Sequence, residues 1–118
     1  MYGFVNEIDY SQFVDHNVEL VCYAENMVTI HISGKIMIEC YNPISYKWLD
    51  NLYSSKTREH EAALELIDLV GSVIKECRSI SPKCLRITLE KNKSIEFIDN
   101  SKQFETFCIT INGISYYV

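Results

Sequence analysis

Residues 83–98, KCLRITLEKNKSIEFI, constrain the fold more than any other stretch of the chain. Leu85, Ile87 and Leu89 alternate with Arg86, Thr88 and Glu90, the period-two pattern of a half-buried strand. Glu90-Lys91-Asn92-Lys93 is too polar to bury and suits a reversal, after which Ile95 and Phe97 resume the apolar face. Residues 27–40, MVTIHISGKIMIEC, repeat the design: Val28, Ile30 and Ile32 alternate with Thr29, His31 and Ser33, the chain turns at Ser33-Gly34, and Ile36 and Ile38 follow. Matching Val28 to Leu85 gives an offset of 57 before the turn, and matching Ile36 to Ile95 gives 59 after it, so the second turn is expected to be two residues longer. Val18–Cys22 precedes the first hairpin and Val73–Cys77 the second, 55 residues on. The chain therefore reads as two three-stranded meanders, of common origin or merely of similar design.

The 118 residues suit a single domain, and no linker or low-complexity segment divides them. The first meander spans about 17–41 and the second about 72–99. A C-terminal hairpin over about 104–118 turns at Asn112-Gly113, a strong two-residue hairpin signal. Between the meanders, residues 57–70 predict a helix. Thr57 is its N-cap, Ala62, Ala63, Leu66, Leu69 and Val70 form an apolar stripe, and Gly71 is the stop. Asp9 suits the cap of a short turn over 10–15. Residues 42–56 do not alternate and read as an aromatic-rich loop. The expected class is α+β: an antiparallel curved sheet or half-barrel of about eight strands, with one helix packed on it. Its exposed edges could pair two copies into a homodimer.

The net charge of −5 is unevenly placed. Residues 1–55 hold seven acids and two bases, whereas 56–118 hold nine of each. An acidic half argues against a nucleic-acid or anionic-membrane partner and fits a basic protein partner. No apolar run has the length of a membrane helix. The opening MYGFVNEIDY has neither a basic region nor an apolar run, so no export signal is expected and the cytoplasm is the expected compartment.

Little points to catalysis. His16, His31 and His60 share no metal-ligand spacing, and the four glycines form no phosphate-binding loop. Five cysteines without a CxxC pair read as buried free thiols. No cofactor, metal site or catalytic residue is expected. A Trp and several Tyr near acids suit an interface instead. The expected contact set is Glu39, Tyr41, Trp48, Asp50 and Tyr53, with Glu19 and Glu25 nearby in sequence. The other readings are a small-molecule carrier and a structural interaction domain, neither catalytic.

The segments LIDLVGSVIKEC, LRITLEKNKSIEFID and NSKQFETFCITINGISYYV, and more loosely FVDHNVELVCYAENMVTIHI, carry a resemblance. In the order of their elements they are similar to a family of small bacterial β-rich proteins of immunity type. That resemblance implies a non-catalytic cytoplasmic protein. It would bind a cognate contact-dependent or polymorphic toxin domain, and the acidic half of the chain points to a basic one of nuclease type. No binding residue transfers by motif.

Overall fold

The computed structural model describes residues 8–24, 27–41, 45–48, 51–54, 67–99 and 107–118. A short 3-10 turn, η1 (Tyr10–Phe13), leads into β1 (Val18–Ala24), β2 (Met27–Ile32) and β3 (Ile36–Tyr41). Two four-residue strands follow, β4 (Ser45–Trp48) and β5 (Asn51–Ser54). A second 3-10 turn, η2 (Ile67–Leu69), leads into β6 (Ile74–Ser81), β7 (Cys84–Leu89), a third turn η3 (Glu90–Asn92) and β8 (Ser94–Ile98). The hairpin β9 (Phe107–Ile111) and β10 (Ile114–Tyr117) completes the order. All strand pairs are antiparallel, in two five-stranded sheets ordered β1-β2-β3-β9-β10 and β5-β4-β8-β7-β6.

The α+β expectation is therefore corrected. The described residues are mostly antiparallel β, their only helical pieces are the three 3-10 turns, and no barrel closes. The predicted helix over 57–70 falls largely outside the described residues. Its described end, Ile67–Leu69, is a 3-10 turn that buries Leu69 in the core before Gly71, at φ +89°, redirects the chain. A half-barrel of about eight strands is replaced by two sheets enclosing one core. Ile30, Ile38 and Ile109 from the first sheet join Leu85, Ile87, Ile95 and Phe97 from the second. Phe97 and Phe107 meet edge to face across the interior, ring centroids 5.8 Å apart. Residues 45–48 and 51–54 are strands, where a loop was expected. At four residues each they are too short to show alternation; β4 pairs with β8, and β5 pairs with β4.

The two halves repeat each other closely. Ile30 pairs with Ile38 as Ile87 pairs with Ile95, an offset of 57 on both sides of the turn. The turns are therefore equal in length, and the expected two-residue difference disappears. A shift of two residues preserves the alternation, so alternation alone could not fix the register. On the first strands the offset is 56, since Val18 opposes Ile32 and Ile74 opposes Leu89. Asn17 and Val73, themselves counterparts, form an antiparallel bridge with each other. Around it the backbone hydrogen bonds come in matched pairs. The Val18 N–H donates to the Ser72 carbonyl at 3.0 Å and the Ile74 N–H to His16 at 2.8 Å. The Ser33 N–H donates to Asn17 at 2.9 Å and the Glu90 N–H to Val73 at 3.0 Å. Positive φ recurs too, at Asp15 (70°) and Gly71 (89°), and at Gly34 (81°) and Lys91 (62°). A local pseudo-twofold thus passes through the Asn17–Val73 bridge.

Each meander is followed by a hairpin that joins the other sheet. The β4–β5 hairpin follows the first meander but pairs through β4 with β8. The β9–β10 hairpin follows the second but pairs through β9 with β3. The two halves exchange hairpins within one chain. The β9–β10 reversal has positive φ at both Asn112 (51°) and Gly113 (85°), as a type I′ turn requires.

Candidate functional site

Alternation gives each sheet an outer face turned away from the shared core. On the first sheet one row across this face reads Cys22–Thr29–Glu39–Cys108–Tyr117. The next row reads Leu20–His31–Met37–Thr110–Ser115. Tyr41 lies two residues beyond Glu39 on the same side of β3. Cys108 and Thr29, 1% and 7% exposed, form a short, closed floor on either side of the half-buried Glu39. Thr110 and Ser115 join their hydroxyls at 3.0 Å, and Tyr117 is 52% exposed.

The second sheet supplies an internal control. Its corresponding row reads Arg78–Arg86–Glu96–Lys47–Leu52. Glu96 is the counterpart of Glu39, and Arg86 of Thr29. Arg86 reaches Glu96 with Nε at 3.0 Å and Nη2 at 2.9 Å, both on Oε1. Arg78 pairs with Glu76 at 3.1 Å. On this face each of the two glutamates has an arginine partner. On the first sheet no cation stands in the Glu39 row, and Glu39 has no ion pair among the described residues. A half-buried carboxylate without a counter-ion keeps a field that a cation can answer.

That field acts on Tyr41. Burial raises its phenol first, and the neighbouring Glu39, Cys108 and Tyr117 raise it further, to about 12. Tyr41 therefore stays protonated at neutral pH, a hydrogen-bond donor beside the carboxylate.

The expected contact residues do not all gather here. Glu39 and Tyr41 share this face. Glu19 is exposed on β1, at the register shift between Val18 and Leu20. Trp48 and Tyr53 belong to the other sheet, Trp48 pairing with Ile95 and Tyr53 with Tyr46. Glu25 and Asp50 lie outside the described residues. Sequence reading missed Cys108 and Tyr117, because β3 meets β9 only through a long-range pairing, and passed over Thr29, which faces Glu39 across the β2–β3 hairpin. The signal available was the 57-residue offset itself, which aligns Thr29-Glu39 with Arg86-Glu96.

The other polar constellation is structural. His16 Nδ1 lies 3.0 Å from Ser33 Oγ, which accepts the Asn17 N–H at 3.0 Å. The counterpart of that second bond is the Val73 N–H donating to Glu90 Oε1 at 3.4 Å. A serine and a glutamate thus do the same capping work at matched turns, with no reactive role needed at either. Among the described residues no three His, Cys, Asp or Glu side chains cluster as metal ligands. None of the five cysteines forms a disulfide. Cys40, Cys77 and Cys108 are buried, Cys84 is half-buried, and Cys22 is exposed rather than buried as expected. Burial pushes the Cys40 and Cys77 thiols far up, so they hold their protons at neutral pH. Among the described residues no helix is long and apolar enough to cross a membrane.

No protein-family model, curated protein or solved structure matches this chain.

Proposed function

We propose that this chain is an immunity-type binding protein. It would dock the outer face of its first sheet onto a basic, nuclease-type domain of a cognate toxin in the cytoplasm, and so occlude it. The observation that carries this reading is the contrast between the two outer faces. One balances its central glutamate with Arg86, while on the other Glu39 has no cation among the described residues and shares its face with Tyr41 and Tyr117. The acidic excess of residues 1–55, seven acids against two bases, points the same way. A nuclease domain must be basic to hold its own substrate, so a net-negative chain is steered to it before contact. Tyrosines present apolar area with a polar tip, the composition favoured at interface centres.

The test is a pull-down and calorimetric titration against the product of the neighbouring gene. A complex is expected that weakens as salt rises. Glu39→Ala should weaken it by about 2 kcal/mol or more, roughly 30-fold in affinity, if the carboxylate is paired and desolvated in the contact. Failure to form any salt-sensitive complex with a toxin domain would remove the reading.

A further inference from the structure

We propose that the Glu39 face is a receptor for an arginine side chain, which the partner inserts where the second sheet carries its own Arg86. This rests on the docking reading above and names the chemistry of its anchor. The template lies within the molecule. At equivalent positions in the two ladders, Arg86 sits beside Glu96 and Thr29 sits beside Glu39. Arg86 shows how a guanidinium serves the equivalent carboxylate, Glu96: it brings two nitrogens to one oxygen, at 3.0 and 2.9 Å. Thr29 is too short to do this and has no charge. The first sheet therefore keeps the acceptor and lacks the donor.

The surroundings favour guanidinium over ammonium. Tyr41 lies on the same side of β3 as Glu39, Tyr117 is one strand beyond Cys108, and the Tyr41 phenol feels Glu39, Cys108 and Tyr117. A planar guanidinium can stack on an aromatic ring while its edge donates to a carboxylate, whereas an ammonium acts as a point charge. Met37, half-buried in the next row, adds soft apolar surface for the arginine stem.

Hexa-arginine and hexa-lysine peptides, equal in charge, are titrated into the full chain at low salt. Binding is followed by amide chemical shifts. Hexa-arginine should move the Glu39, Cys108 and Tyr117 amides saturably, and more tightly than hexa-lysine. Glu39→Gln and Glu96→Gln change the net charge equally. Glu39→Gln should weaken hexa-arginine binding by about tenfold or more, and Glu96→Gln by less than about twofold. Thr29→Arg should install the second sheet's ion pair in the first and abolish binding. If that variant does not fold, the two glutamine variants decide.

Equal weakening by both glutamine variants, equal affinity for the two peptides, or shifts elsewhere on the surface would overturn the assignment. A toxin-domain complex indifferent to Glu39→Gln would overturn the arginine anchor and leave the docking reading standing. Peptide binding at Glu39 with no toxin complex would do the reverse.

Discussion

Tyr41 shows how one residue records its surroundings. Burial and the Glu39 carboxylate both disfavour its phenolate, and its pKa stands at about 12. Tyr10 and Tyr23 shift in the same direction, both through burial first. Cys40 and Cys77 shift upward for that reason as well. In each case the folded chain holds its proton more tightly than the unfolded chain does. The stability these groups contribute is thus fully present below their unfolded values, near 9 for the thiols and 10 for the phenols. It is lost as pH rises through the folded values. The thermal midpoint should stay level from neutrality to about pH 9 and fall steadily above it. Differential scanning calorimetry across pH 7–11 checks this, and a midpoint still level at pH 11 would contradict it. Absorbance near 295 nm isolates Tyr41 by difference. In Glu39→Gln one phenol should titrate lower than in the parent, though still above 10, because burial is the larger cause.

At the scale of elements, the two β-turns solve one problem with different residues. Gly34 and Lys91 are counterparts, both with positive φ, 81° and 62°. At Gly34 a Cβ would also run into the His16 ring at Cε1, so Gly34→Ala combines a strained backbone with a clash. It should cost about 2 kcal/mol or more. Lys91 is exposed, and Lys91→Gly relieves the left-handed strain without removing a buried contact. It should be neutral to stabilising, by up to about 1 kcal/mol, once glycine's extra unfolded freedom is subtracted. Urea midpoints of the two variants check the opposite signs. These turns also mark the limit of what the chain's text discloses. The alternation around Ile30 and Ile87 identified the strands, and Asn112-Gly113 identified its hairpin, because both signals are local. Whether Ile95 answers Ile36 or Ile38 depended on two turns being equal, and a two-residue slip leaves the alternation intact. Glu39 and Tyr41 were accessible as candidates because they are neighbours in sequence. Cys108 and Tyr117 were not, since they arrive beside Glu39 only when β9 crosses to β3. Residues 67–69 misled for a related reason. Leu69 fits a helical stripe, yet it is the counterpart of Phe13, and both fill the core from a 3-10 turn.

For the whole molecule, the exchange of hairpins decides how stability is distributed. The first meander ends at β3, which is completed by β9 from the other half, while β8 is completed by β4 from the first. Neither half can finish its own sheet, and the Asn17–Val73 bridge ties their starts together. The core admits no division either. Ile38 and Ile95 are 0% and 1% exposed at equivalent positions, and Phe97 of one half meets Phe107 next to the other half's Cys40. Losing either meander would expose the inner face of the remaining sheet, at about 1.5–3 kcal/mol for each large side chain uncovered. That is a large penalty beside a total stability of about 5–15 kcal/mol. A half-folded state should therefore be too costly to populate, although the sequence reads as two units. Unfolding should be two-state, and because its key pairings span the whole chain, folding should be slow, on the order of milliseconds to seconds. Native-state hydrogen exchange provides the discriminating measurement. The amides of Ile30 on β2 and Ile87 on β7 should open with the same free energy, equal to that from urea unfolding followed by Trp48 fluorescence. If the Ile30 amide exchanged through an opening well below the global value while Ile87 did not, the meanders would be independent units, and the exchanged hairpins would not couple them.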